Sequence, residues 1–125
     1  MSEFQAALER TLKGVNSPFA AADADLHQEV VSASKDVSSI TNGKATLELV
    51  PHDETQDHYL YQLVLASGEN QWPVAEFKVP VDGYPILAGP TQLNNRQELV
   101  KYFTAMAANP HSSLVKRLAF LLRQN

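Results

Sequence analysis

The chain has 125 residues, a net charge of −4, 44% hydrophobic and 19% charged residues, and no cysteine. Such a length suits one domain that buries enough surface to fold unaided, and the missing cysteines exclude disulfides, thiolate zinc sites and cysteine nucleophiles. The acidic balance, with 10 basic residues scattered along the chain, opposes nucleic-acid binding, which needs clustered Lys and Arg against phosphates.

No apolar run approaches the length of a membrane span. Met1 to Leu12 also lacks the basic-then-apolar order of a signal peptide. The expectation is a single soluble α+β domain over residues 1–125, cytoplasmic, with neither membrane nor nucleic acid as a partner.

In chain order, Ser2 to Val15 reads as a helix: Ser2 is a cap, and Phe4, Leu8, Leu12 and Val15 fall on one face. Gly14 to Ser17 and Pro18 suggest a break. A second helix then follows from Phe19, with Ala22, Leu26, Val30, Ala33, Val37 and Ile40 forming a narrow stripe. Asn42-Gly43 ends that helix or, in a rival reading, turns a hairpin between Val37–Thr41 and Lys44–Leu49. Helix is the preferred reading from Phe19 to about Val31, and Val31–Thr41 stays open between helix and strand.

Alternation of apolar and polar residues predicts strands at Lys44–Pro51, Tyr59–Ala66 and Trp72–Pro80. Ser67 to Asn70 is a turn by composition, and Asp82-Gly83 is a tight turn leading into Tyr84–Ala88. Pro85 cannot donate to a ladder, so that last piece is an edge strand or an extended loop. Short connections favour an antiparallel meander of three to four strands, with the helices mainly on one face. After it, Asn95 and Glu98 form a capping-box pattern ahead of Leu99, Phe103 and Met106. Asn109-Pro110 breaks this helix, and Ser112 or Ser113 caps a last one from about Leu114 to Arg123.

Little of this carries chemistry. His52 to His58 packs two histidines and three carboxylates into one loop, but their spacing matches no metal motif. A solvated surface loop is the preferred reading. The glycines are too dispersed for a phosphate cradle, His27 and His111 stand alone, and no serine elbow is present. No catalytic residue, metal site or cofactor is therefore expected.

Aromatic placement offers more. Trp72-Pro73 and Tyr84-Pro85 either pack on the sheet, the favoured reading, or form a recognition surface. On the last helix Leu114, Val115, Leu118, Ala119, Leu121 and Leu122 share an arc, while Phe120 falls opposite, between Lys116 and Arg123. Trp72, Tyr84, Pro85 and Phe120 are thus the candidate binding residues.

The run from Phe77 to Pro90, with Pro80, Tyr84, Pro85 and Pro90, resembles the end of the meander in ubiquitin-conjugating-enzyme-like and RWD domains. The order of helix, meander, loop and helices is similar too. Pro90 lies further from Tyr84 than in that pattern, and both the catalytic cysteine and a His-Pro-Asn triplet are missing. The resemblance implies a non-catalytic member acting in protein–protein contacts. In size, charge and α+β makeup the chain is also similar to small acidic export chaperones.

The leading expectation is a small intracellular, non-catalytic binding or adaptor module with a protein partner, and a homodimer through Phe120. The alternatives are a small-ligand carrier or enzyme whose site assembles only in the fold, and a small acidic chaperone.

Overall fold

A computed structural model describes residues 2–55 and 57–123, with the side chains of residues 15 and 16 left aside. Helix α1 (Glu3–Ile40) leads into strands β1 (Thr46–Glu54), β2 (His58–Ser67), β3 (Asn70–Pro80), β4 (Ile86–Ala88) and β5 (Thr91–Leu93). Helices α2 (Arg96–Ala108) and α3 (Ser113–Arg123) follow. The five strands form one antiparallel sheet in the order β1-β2-β3-β4-β5. The chain is α+β as expected, but the meander has five strands rather than three to four. The additional strand β5, Thr91–Leu93, is too short to show alternation.

The expected break between residues 14 and 17 does not occur. α1 is one helix of 38 residues with Pro18 inside it, about 57 Å long at 1.5 Å per residue. Proline removes one hydrogen bond, here the one to the Gly14 carbonyl, and Gly14 is exposed so that water can replace it. Ser2 caps the start, its hydroxyl accepting from the Gln5 N–H at 3.1 Å. The hairpin rival for Val37–Thr41 is also overturned. The helix ends with Asn42 at φ 54 and Gly43 at φ 80. The Gly43 N–H donates to Ser38 and the Asn42 N–H to Ser39, the paired bonds of a Schellman end. Buried Thr41 ties the corner, its hydroxyl donating to the Val37 carbonyl at 2.8 Å and accepting from the Ala45 N–H at 3.1 Å.

Pairing sets Leu47 opposite Leu65, Tyr61 opposite Phe77, Phe77 opposite Ala88 and Ile86 opposite Leu93, so one face of the sheet is apolar. All three helices pack there. Ala22, Leu26, Val30 and Val37 of α1 join Leu99, Phe103 and Leu114 in one buried cluster with these strand residues. Phe77 is fully buried, stacks on Phe103 with centroids 5.5 Å apart, and meets Tyr102 edge-on. Removing a ring so enclosed costs about 3–5 kcal/mol.

Two irregularities re-aim side chains. The β1–β2 register shifts at His52, between Pro51 and Asp53, and the β2–β3 register shifts between Leu63 and Val64. Val74 is the extra residue in the second bulge, so Pro73 faces outward and Trp72 turns to the helix-bearing face opposite Leu65. β4 meets β3 only at Phe77 and Lys78, so no strand on that side needs the missing N–H of Pro73. Edge strand β1 is blunted by Pro51, the bulge and acidic Asp53 and Glu54. Its Leu47 N–H is met by Ser34 of α1 at 3.0 Å.

The expected edge strand Tyr84–Ala88 shrinks to Ile86–Ala88 and lies inside the sheet, with β5 outside it. Pro85 precedes it, joined to Tyr84 by a cis peptide bond. The tight turn at Asp82-Gly83 forms, with the Gly83 N–H donating to Pro80 at 3.0 Å. The capping box of α2 forms in altered shape. Asn95 accepts from the Glu98 N–H, whereas the Glu98 carboxylate reaches back to Asn94 rather than Asn95.

Gly83 is the glycine on which tertiary packing depends. Its φ is +92, and a Cβ there would lie 2.7 Å from the Pro18 carbonyl oxygen. Gly89, at φ +60, faces open space, so Gly89→Ala carries only the left-handed cost of about 1–2 kcal/mol. Gly83→Ala is expected to lower the unfolding free energy at least about twice as much, because it adds a clash with backbone that cannot swing away. Urea unfolding of the two variants tests this, and equal losses would remove Gly83 as the contact that seats α1.

Candidate functional site

The four aromatic and proline candidates separate into two places. Tyr84 and Pro85 belong to a framework that clamps α1. The Tyr84 hydroxyl donates to Asp25 at 2.7 Å, and Arg96 reaches the same carboxylate at 3.3 Å and Gln28 at 2.7 Å. A parallel bond runs from the Tyr61 hydroxyl to Asp23 at 2.7 Å, with His27 edge-on to the Tyr61 ring at 5.5 Å. Both phenols are half-buried or buried and hydrogen-bonded, which makes them fasteners of the helix. Neither Asp23 nor Asp25 stood out in the sequence, since carboxylates two residues apart on a helix carry no pattern of their own.

Trp72 and Phe120 do converge. Together with Pro73, Ser113, Lys116, Arg117 and Arg123 they line an open cleft of about 460 Å³ between the start of β3 and α3. Arg117 lies over the Trp72 ring, 5.3 Å from its centroid, a cation–π contact that fixes both side chains. Phe120 stays 41% exposed. Three cations line the cleft with no acidic side chain among them. Among the described residues no ion pair joins any of the three to a carboxylate.

A second exposed feature has no counterpart in the expected site. Phe4, Leu8 and Leu12 are 77%, 45% and 48% exposed, although at 100° per residue they share the stripe that buries Ala22, Leu26, Val30 and Val37 further along α1. The helix overshoots the sheet, and its first four turns form an arm whose apolar side meets water. The sequence showed this stripe, but only the length of the unbroken helix shows that the sheet does not reach it. Val15, expected on the same stripe, is outside the residues whose side chains are described.

The polar run at residues 52–58 divides between two strands and a turn. His52 sits at the bulge of β1. Thr55 organises the turn by accepting from the Asp57 and His58 N–H groups and meeting His58 Nδ1 at 3.2 Å. Gln56 is outside the described residues. Among the described residues no three His, Asp or Glu side chains come together, and no helix is long and apolar enough to cross a membrane.

In comparison with known proteins, no protein-family model, curated protein or solved structure matches this chain. The fold defines an α+β domain with one helical layer on a five-stranded antiparallel meander.

The clamp has a pH signature. Burial first, then the hydrogen bonds to Asp23 and Asp25 and the charge of those carboxylates, push the Tyr61 and Tyr84 phenols well above the ordinary value of 10.0. The neutral phenols are favoured in the folded state, so their contribution is complete below about pH 10 and is lost as pH rises above it. The unfolded chain ionises first. Stability of the wild type is expected to fall above pH 10 by up to about 1.4 kcal/mol per pH unit for each phenol. The Tyr61→Phe/Tyr84→Phe double variant is expected to start less stable at pH 8 and fall less steeply. Urea midpoints across that range measure both.

Proposed function

We propose that this chain is a small cytoplasmic, non-catalytic protein-binding module that docks the arm of α1 into an apolar groove of a different protein. The observation that carries this is the exposed stripe Phe4–Leu8–Leu12 on a helix whose continuation buries Ala22, Leu26, Val30 and Val37 against the sheet, although Ile40 at its far end is exposed again. A helix presenting apolar residues at i, i+4 and i+8 matches the helix-in-groove mode of recognition. Arg10 and Lys13 lie on the opposite face, as befits the solvent side of a docked helix. The absence of a catalytic cysteine beside the likeness to RWD domains is in keeping with it.

A second copy fits the arm less well. The antiparallel register that mates Phe4 with Leu12 sets the two Glu9 side chains on the same flank, where like charges repel. A homodimer centred on Phe120 meets the same difficulty, because two-fold symmetry sets Lys116, Arg117 and Arg123 against their own copies.

Leu8→Glu provides the test. Leu8 is exposed, so stability is expected to stay within about 0.5 kcal/mol of wild type. Immobilised wild-type protein is expected to retain from extracts of its native host a partner that Leu8→Glu fails to retain. Calorimetry with that partner, purified, is expected to show affinity lowered at least about ten-fold, since burying a leucine is worth about 1.5–3 kcal/mol. Equal affinity would place the contact elsewhere, and self-association lost in Leu8→Glu would make the partner a second copy.

A further inference from the structure

We propose that the cleft between β3 and α3 is a second, separate recognition site, and that its ligand is an acidic polypeptide segment anchored by an aromatic side chain. The chain as a whole carries −4, yet Lys116, Arg117 and Arg123 gather here with no acid lining the cleft among the described residues. α3 itself contains no Asp or Glu. On an acidic protein the rest of the surface repels acidic partners, and this local positive field concentrates them at this one spot.

The apolar half of the ligand follows from the same walls. Trp72 is turned toward α3 by the bulge at Val74, and Arg117 holds its ring from one side. Phe120 leaves much of its ring uncovered. Trp and Arg are the residue types that dominate binding energy when they line a pocket. Arg117, already stacked, loses little freedom when a carboxylate arrives. A volume of about 460 Å³ accommodates an aromatic side chain with one or two neighbours. A free anion would use the cations and leave Phe120 and the Trp72 edge without a partner. A second copy would oppose cation to cation.

The chain's single tryptophan is in the cleft wall and serves as the reporter. A short peptide of Glu and Asp with one central Phe, added to the full chain at low salt, is expected to change Trp72 fluorescence to saturation. The response should weaken as salt is raised. Replacing the acids of the peptide by Lys is expected to abolish it, and replacing its Phe by Ala to weaken it about ten-fold. The exposed-site variant Lys116→Glu/Arg123→Glu is expected to lose at least about ten-fold in affinity with unchanged far-ultraviolet circular dichroism, and Phe120→Ser to lose about as much as the peptide Phe→Ala change. Leu8→Glu is expected to bind the peptide like wild type, which separates this site from the arm. The proposal is overturned if Trp72 does not respond to the peptide, or if inorganic phosphate alone competes as well as the peptide. It is also overturned if phosphatidylserine vesicles bind in preference to the peptide, or if light scattering shows that the copies associate through the cleft instead.

Discussion

Burial of one stripe of α1 against one face of the sheet governs the rest of the molecule. Ala22, Leu26, Val30 and Val37 set the rotation of the helix, and that rotation decides where every other residue on it points. It aims Asp23 and Asp25 at the two phenols that hold them. It places Ser34 where it can satisfy the free edge of β1. It also carries Phe4, Leu8 and Leu12 out beyond the sheet on the same side. The arm is therefore no independent element: its apolar face is the core stripe continued past the point where the core stops.

Much of this was legible in the sequence, for identifiable reasons. The three longer strands showed themselves because alternation matches the pleat, and α2 and α3 because Asn95 and Ser112 are good caps before periodic apolar residues. Local signals misled where tertiary packing outweighed them. Pro18 argues for a break, yet α1 runs through it, and the cost of about 3 kcal/mol falls on a helix anchored by the buried stripe that follows it. Asn42-Gly43 serves hairpins and helix ends equally, and only the bonds to Ser38 and Ser39 decide between them. β4 and β5 pair over three positions each and leave no periodic trace.

The aromatic candidates divide along the same line. Tyr84 looked available because its neighbours are Gly83 and Pro85, but its partner Asp25 is 59 positions away and invisible to local reading. Trp72 and Phe120 were singled out separately, one for its place beside Pro73, the other for falling outside an apolar arc. Their meeting depends on a bulge, because without Val74 as an extra residue Trp72 would point to the other face of the sheet. A shift of one residue in pairing thus determines whether the basic side of α3 has an aromatic wall opposite it.

The strand order has a consequence for how the domain comes together in time. Each strand pairs with its neighbour in sequence, so the sheet can zip from one hairpin to the next without closing a long loop. Loop-closure entropy is spent in small instalments, and low separation between contacting residues favours rapid folding. The distant step is the docking of α1 on the finished sheet, together with the bonds from Asp23 and Asp25 across to Tyr61 and Tyr84. During synthesis α1 leaves the ribosome before the strands and waits for the surface that will bury it. Its amphipathic stripe is then exposed along its whole length, and docking on the sheet leaves the arm in that early state.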